Sequence, residues 1–280
     1  MNPKKELARF LAEDINRGDV TGTILSNKKI TATIVSRQDG VVAGAKYAKE
    51  IFAMKGCIVQ ILKKDGAAIK AGQTVLRISG PAKAVLSCER TALNLLSRMS
   101  GIATATSQLV EQVKQVSKRA NLYSTRKTAP GLRYFDKEAV ELGGGKKHRL
   151  TLSDMIMIKD NHIASEGSLI ELIQRAKRKA KIFEVEVDSR QDAILAASLG
   201  VPIIMLDNFT PNMIKQTILT LKKMGLREKV RLEASGGINA KNIKEYARTD
   251  VDMISVGSIT NSVKAIDFSL EVYRRKDRIS

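Results

Sequence analysis

Apolar positions along this chain follow two textures, and the switch between them divides it after residue 103. In residues 4–16, Leu7, Phe10, Leu11 and Ile15 recur at helical spacing and predict an amphipathic helix. Short strand-like runs follow at 30–35, 41–42, 59–62 and 74–78, with a helical stretch at 46–54 and glycines as punctuation. A helix is predicted over 82–99, where Leu86, Leu93 and Leu96 begin an apolar stripe that Ile102 continues. Ser100-Gly101 is read as the break after it.

Beyond that break, nearly all-apolar runs at 121–125, 155–158, 182–187, 202–206, 230–234 and 253–256 alternate with helical stretches. The helices are predicted near 104–118, 168–181, 191–199, 211–224 and 240–248. Apolar strands alternating with helices indicate a buried parallel sheet. The expected architecture is α/β: an N-terminal α/β sandwich domain over 1–103 and a parallel α/β barrel over 104–264. Only six strand–helix units are visible, so a regular eight-stranded barrel is not expected. A last helix, at 265–275 within a C-terminal segment 265–280, is expected to pack with the N-terminal domain.

Composition narrows the class without deciding function. Hydrophobic residues make up 43% and charged residues 28% of the 280, ordinary values for a globular protein. No apolar run approaches the roughly 20 residues of a membrane span, and MNPKKELARFLAEDI lacks an apolar signal core. Cys57 and Cys88 lack metal-ligand spacing and read as free, buried thiols, in keeping with a cytoplasmic protein. The net charge of +19 would suit a polyanion, but few aromatics interleave with the basic runs. A specific nucleic-acid surface is therefore not expected, and most of the excess is read as solvated surface.

The chemistry gathers where the predicted strands stop. Residues 123–163 carry Arg126, Lys127, Arg149 and Lys159, both histidines (His148 and His162), and the run Gly143-Gly144-Gly145. Strand ends further on supply Glu186 and Asp207, then Ser235-Gly236-Gly237 and Gly257-Ser258. In a parallel barrel these C-terminal ends form the active face. Cations there suit a substrate with several carboxylates, carboxylates suit Mg²⁺ or ribose hydroxyls, and glycine-rich turns suit phosphate. Each has a plainer reading taken alone. Ser-Gly-Gly is often only a turn, Glu186 shares a strand face with Glu184 and would serve as a buried ion-pair partner, and Asp207 would serve as a helix cap. Together they ask for a phosphate, a ribose with metal and a di-acid.

TRKTAPGLR, GGGKKHRL and DMIMIKDNHI, in that order, resemble the signature of the quinolinate phosphoribosyltransferase family, and the likeness spans nearly the whole chain. It implies an open, incomplete barrel capped by the N-terminal domain of a partner subunit. It also implies transfer of phosphoribose from phosphoribosyl pyrophosphate to quinolinate with decarboxylation, giving nicotinate mononucleotide. The arginine of ERTALN, Arg90, would reach the partner's site, so a homodimer or higher homo-oligomer with shared sites is implied. By the same resemblance Arg90, Arg126, His148, Arg149 and Lys159 face the quinolinate carboxylates, and Lys127 faces phosphoribosyl pyrophosphate. Glu186 and Asp207 face the ribose and Mg²⁺, and Ser235, Gly236, Gly237, Gly257 and Ser258 hold the 5′-phosphate. Lys127, Lys159, Glu186 and Asp207 are the catalytic candidates. This chain departs from the usual family pattern at Lys147, where the family usually has asparagine before His-Arg, and at Ser258 and Asn261, where it usually has alanine and histidine. Two other readings compete: a phosphoribosyltransferase for a mono-acid such as nicotinate, and a same-fold paralogue binding another anion, such as an accessory protein of oxyanion uptake.

Overall fold

A computed structural model describes residues 2–273. In chain order the elements begin with α1 (Pro3–Ile15), β1 (Lys29–Ser36), β2 (Gly40–Val41), α2 (Ala45–Ala53), β3 (Ile58–Ile61), β4 (Ala68–Ile69), β5 (Thr74–Pro81) and α3 (Ala82–Lys114). Then come β6 (Asn121–Tyr123), α4 (Arg133–Leu142), β7 (Met157–Ile158), α5 (Asp160–Glu166), α6 (Leu169–Lys179), β8 (Glu184–Val187) and α7 (Arg190–Ser198). The rest are β9 (Ile203–Asp207), α8 (Pro211–Lys223), β10 (Arg231–Ser235), α9 (Ile243–Ala247), β11 (Met253–Ser255), α10 (Ser258–Asn261) and β12 (Phe268–Val272). Among the described residues no helix is long and apolar enough to cross a membrane.

The chain divides into two compact units. The first takes residues through Ser107, then Tyr134–Gly144, then the segment from Val263. Its antiparallel sheet has the order β12-β1-β5-β3. Helix α2 lays Tyr47, Ala48, Ile51 and Phe52 into the core. Asp136 of α4, fully buried, receives both Nε and Nη2 of Arg98 at 2.8 Å, a bidentate pair that stays satisfied away from water.

Three expectations are corrected here. The helix predicted to stop at Ser100-Gly101 does not stop: α3 runs unbroken for 33 residues, joining the two helices read from the sequence. Gly101 is small for another reason. A Cβ there would lie 2.3 Å from the backbone oxygen of Lys264, so the glycine admits a close crossing strand of chain. The run Gly143–Gly145 has a similar origin at its first member, whose Cβ would meet the Ala103 oxygen of α3 at 2.4 Å. The helix expected over 265–275 is instead β12, which pairs antiparallel with β1 from Phe268↔Ser36 to Val272↔Ala32. Residues 274–280 of that expectation lie outside the described residues. Tyr134–Gly144, expected in the barrel, belongs to the first unit.

The second unit is built on six parallel strands in the order β6-β11-β10-β9-β8-β7, with helices in the crossovers. Its strands are apolar because both faces are covered: Val185, Ile204, Leu206, Leu232, Ala234 and Ile254 are fully buried. The strands β7 to β11 are neighbours in sequence order, and β6 joins the far side of β11. The sheet stays open between β6 and β7, with Lys146 bridging to Tyr123 on the free edge of β6. This is the open, incomplete α/β barrel. Helix α9 is shorter than the predicted 240–248 and starts only at Ile243, so the Ser235–Gly237 turn does not lead directly into a helix.

Candidate active site

The C-terminal ends of the second unit's strands surround a cavity of 370 Å³. The chain after β6 supplies Arg126 and Lys127, the loop after Lys146 supplies His148 and Arg149, and the end of β7 supplies Lys159. Glu186 of β8, Asp207 of β9 and Ser235 of β10 complete the rim. Sheet register explains the grouping, since Met205 stands opposite both Glu186 and Glu233, and Asp207 stands opposite Ser235.

The two arginines make no ion pair among the described residues. Arg149 gives Nη1 to the Met155 carbonyl at 3.2 Å and Nη2 to the Met157 sulfur at 3.1 Å, both uncharged partners. Burial lowers its pKa, and the nearby Arg126 charge lowers it further. Arg126 has its Nε buried with no hydrogen-bond partner among the described residues. Two adjacent guanidinium groups on these terms favour an anion between them. Lys159 differs, being ion-paired with Glu186. Lys127 is placed by its backbone: its amide donates to Thr125 Oγ1 at 3.1 Å and its carbonyl accepts from Thr260 Oγ1 at 2.8 Å.

Several residues read from the sequence lie outside the cavity lining. Gly257 backs Lys127, and a Cβ there would sit 3.2 Å from the lysine Cδ. Gly236 has φ +95°, and a Cβ would meet Asn208 Oδ1 at 2.2 Å, so no other residue fits this turn. Gly237 follows it at φ +64°, and Ser258 opens the single turn α10. Arg90 belongs to the first unit, exposed on α3, with no hydrogen bond or ion pair among the described residues. His162, in the stretch singled out above, uses Nδ1 to accept the Lys159 amide at 2.9 Å and so closes the start of α5.

Sequence reading missed what lies beneath His148. Its Nε2 is 3.1 Å from Glu233 and 3.3 Å from Glu184, two carboxylates with no exposed surface. β8 and β10 are alternate strands, whose inward side chains share a layer in a parallel barrel. Burial opposes charge on the ring, while the two carboxylates favour it and shift its pKa upward. The Arg149 amide works against them. At 2.8 Å from Nδ1 it requires a lone pair there, which fixes the ring in this arrangement with its proton on Nε2. Crowded negative charge is then relieved on Glu184, whose pKa rises to about 7, first through burial and next through the Glu233 charge. The signal was carboxylates inside two otherwise apolar strands, Glu184 ahead of Glu186 in FEVEV and Glu233 alone in RLEAS.

That raised carboxyl predicts a pH-dependent stability with a definite sign. Between its ordinary value of 4.5 and about 7, Glu184 keeps a proton in the folded chain that the unfolded chain has lost. Folding is therefore favoured more strongly at the acid end of that window, and the advantage disappears as pH rises through 7. At 1.36 kcal/mol per unit the whole change is on the order of 3 kcal/mol. Glu184→Gln lacks the titration, so its stability relative to wild type should climb across this window in denaturant melts. A constant difference would contradict the assignment.

Which groups could hold a metal divides by depth. Glu186 and Asp207 line the open cavity and offer oxygen donors, as Mg²⁺ requires alongside phosphate and water. His148, Glu184 and Glu233 also cluster, within 4.8 Å, but are deeper, and the histidine already holds a proton between the carboxylates.

An open parallel barrel with clustered cations, two rim carboxylates and glycine turns defines an enzyme class that handles phosphorylated, polyanionic substrates. The particular family follows from comparison. Residues 19–100 match the quinolinate phosphoribosyl transferase N-terminal domain and residues 102–271 its C-terminal domain. A probable carboxylating nicotinate-nucleotide pyrophosphorylase of Archaeoglobus fulgidus is 49% identical over 255 residues, covering 91% of this chain and 98% of the relative. The carboxylating nicotinate-nucleotide pyrophosphorylase of Mycobacterium leprae is 39% identical, covering 95% of each chain. The solved nicotinate-nucleotide pyrophosphorylase of Francisella tularensis superposes with a TM-score of 0.90 at 36% identity, covering 98% of each chain. The chain belongs to the quinolinate phosphoribosyltransferase family.

Proposed function

We propose that this protein transfers phosphoribose from phosphoribosyl pyrophosphate to quinolinate and decarboxylates the product to nicotinate mononucleotide, a step of NAD biosynthesis. The observation that carries the reading is the adjacent pair Arg126 and Arg149, buried in part and without an ion pair among the described residues, in one cavity with Glu186 and Asp207. Arg126, His148, Arg149 and Lys159 take the two quinolinate carboxylates, with His148 acting from the wall because both its ring nitrogens already have protein partners. Lys127 meets phosphoribosyl pyrophosphate. Glu186 and Asp207 meet the ribose hydroxyls and would hold Mg²⁺, which when bound neutralises charge on the departing pyrophosphate. Ser235, Gly236, Gly237, Gly257 and Ser258 take the 5′-phosphate, with Asn261 donating a neutral hydrogen bond where relatives of the signature have histidine.

The pyridine nitrogen bonds to ribosyl C1 as the C1–oxygen bond to pyrophosphate breaks. The bond from C2 to its carboxylate then breaks, releasing CO₂, and the electron pair left on C2 takes a proton. Neither step needs a covalent enzyme nucleophile; both need fixed charge in a site poor in water. Arg90 completes the site of a second copy, making a homodimer the smallest active unit, and the protein works in the cytoplasm.

Purified protein should release CO₂ from quinolinate only when phosphoribosyl pyrophosphate and a divalent metal are both present. Turnover of nicotinate at an equal or higher rate would overturn the di-acid reading in favour of a mono-acid enzyme.

A further inference from the structure

Glu233 has no place in the roles above, although it is the only carboxylate in β10 and its side chain is wholly buried. It stands two residues before Ser235 on the same strand face, and both residues line the cavity. Its Oε2 meets His148 Nε2 at 3.1 Å, while its Oε1 has no hydrogen-bond partner among the described residues. On the other side of the ring, Nδ1 takes the backbone N–H of Arg149 at 2.8 Å. His148 reaches this position with φ +55°, a conformation that costs a residue with a Cβ and persists only when its surroundings impose it.

The contacts form a chain: carboxylate, ring, amide. The Arg149 side chain beyond it is hydrogen-bonded, among the described residues, only to a carbonyl and a thioether. Its direction into the cavity therefore depends on the backbone from which it springs, and the ring fixes that backbone.

We infer that Glu233 is a positioning residue for the cationic side of the site, holding the His148 ring and, through the ring, the backbone of Arg149. It touches no reacting atom. Glu184, 3.3 Å from the same nitrogen, supports the ring from the neighbouring layer of the barrel. The inference rests on the assignment of Arg149 to a quinolinate carboxylate, and it says why that guanidinium points where it does.

The test uses two substitutions in the full chain. Glu233→Gln keeps the length and an accepting oxygen but removes the charge, and should raise the quinolinate KM about threefold to tenfold. Glu233→Ala removes the contact and should raise it by more than about tenfold, with the KM for phosphoribosyl pyrophosphate within about twofold of wild type in both. If the alanine variant fails to fold, the glutamine variant decides alone. A quinolinate KM within about twofold of wild type in Glu233→Gln overturns the inference, as does an equal rise in both KM values, which would mean a deformed strand. With two histidines in the chain, the His148 ring nitrogens can also be followed directly by NMR. Wild type should show a protonated Nε2 and a bare, hydrogen-bonded Nδ1, and the glutamine variant should weaken that preference. An unchanged ring spectrum would likewise overturn the inference. A wild-type enzyme that fails to use quinolinate refutes the functional reading instead, and the ring spectrum still tests the clamp.

Discussion

Arg90→Ala and Lys127→Ala should each leave almost no turnover when assayed alone, and a mixture of the two should recover activity. Lys127 lines the cavity of the second unit, while Arg90 stands exposed on α3 in the first. If Arg90 serves a two-fold-related copy, each variant alone has every site defective. Loss of one charge-assisted contact to the reacting groups should cost at least about a hundredfold in turnover. After subunit exchange about half of the dimers are hybrids, each with one site that has both residues and one that has neither. Recovery should therefore approach about a quarter of wild-type sites. Hybrid dimers demonstrated by mass spectrometry but lacking activity would place Arg90 in its own subunit's site or in no site.

Arg149→Ala and Lys159→Ala should separate in a way their charges alone do not indicate. Each removes a contact to a carboxylate of about 1.5–3 kcal/mol, so both should raise the quinolinate KM roughly tenfold to a hundredfold. Among the described residues the Arg149 side chain hydrogen-bonds only to uncharged partners, so its loss should leave phosphoribosyl pyrophosphate binding nearly unchanged. Lys159 is ion-paired with Glu186, whose side chain is only 13% exposed, and its removal frees a largely desolvated carboxylate beside the ribose position. The Lys159 variant should therefore lose affinity for both substrates, as calorimetry with each would show. Unchanged quinolinate affinity in both variants would remove them from the di-acid subsite.

Much of this was legible in the residues. The six barrel strands show as apolar runs because parallel strands are covered on both faces, and the polar residue ending each run marks the rim. The two carboxylates under His148 were not legible, because a sequence does not say that inward residues of β8 and β10 share a layer. Gly101 misled for a related reason. Glycine marks a helix end by its conformational freedom, but here it marks a crossing segment, and only the second chain segment reveals which applies. β12 carried its own signal, with Ile266, Phe268, Leu270 and Val272 alternating with Asp267, Ser269 and Glu271, a period of two where a helix was predicted. Four polar rim positions, Ser124, Thr125, Glu233 and Ser255, stayed invisible because small or lone polar residues near strand ends are common without function.

The pairing of β12 with β1 has a consequence for how the molecule comes into being. Strand β1 occupies residues 29–36 and its outer neighbour residues 268–272, so the first sheet lacks one edge until the far end of the chain has been made. During synthesis at about 5–20 residues per second, β1 waits on the order of ten seconds or more with an unpaired ladder of N–H and C=O groups. In the barrel, β7 to β11 each pair with a near neighbour in sequence and face no such delay, and only β6 waits for a distant partner, β11. The part of the protein that leaves the ribosome first is thus among the last to be completed, and its waiting edge is where a nascent chain would be most prone to pair wrongly.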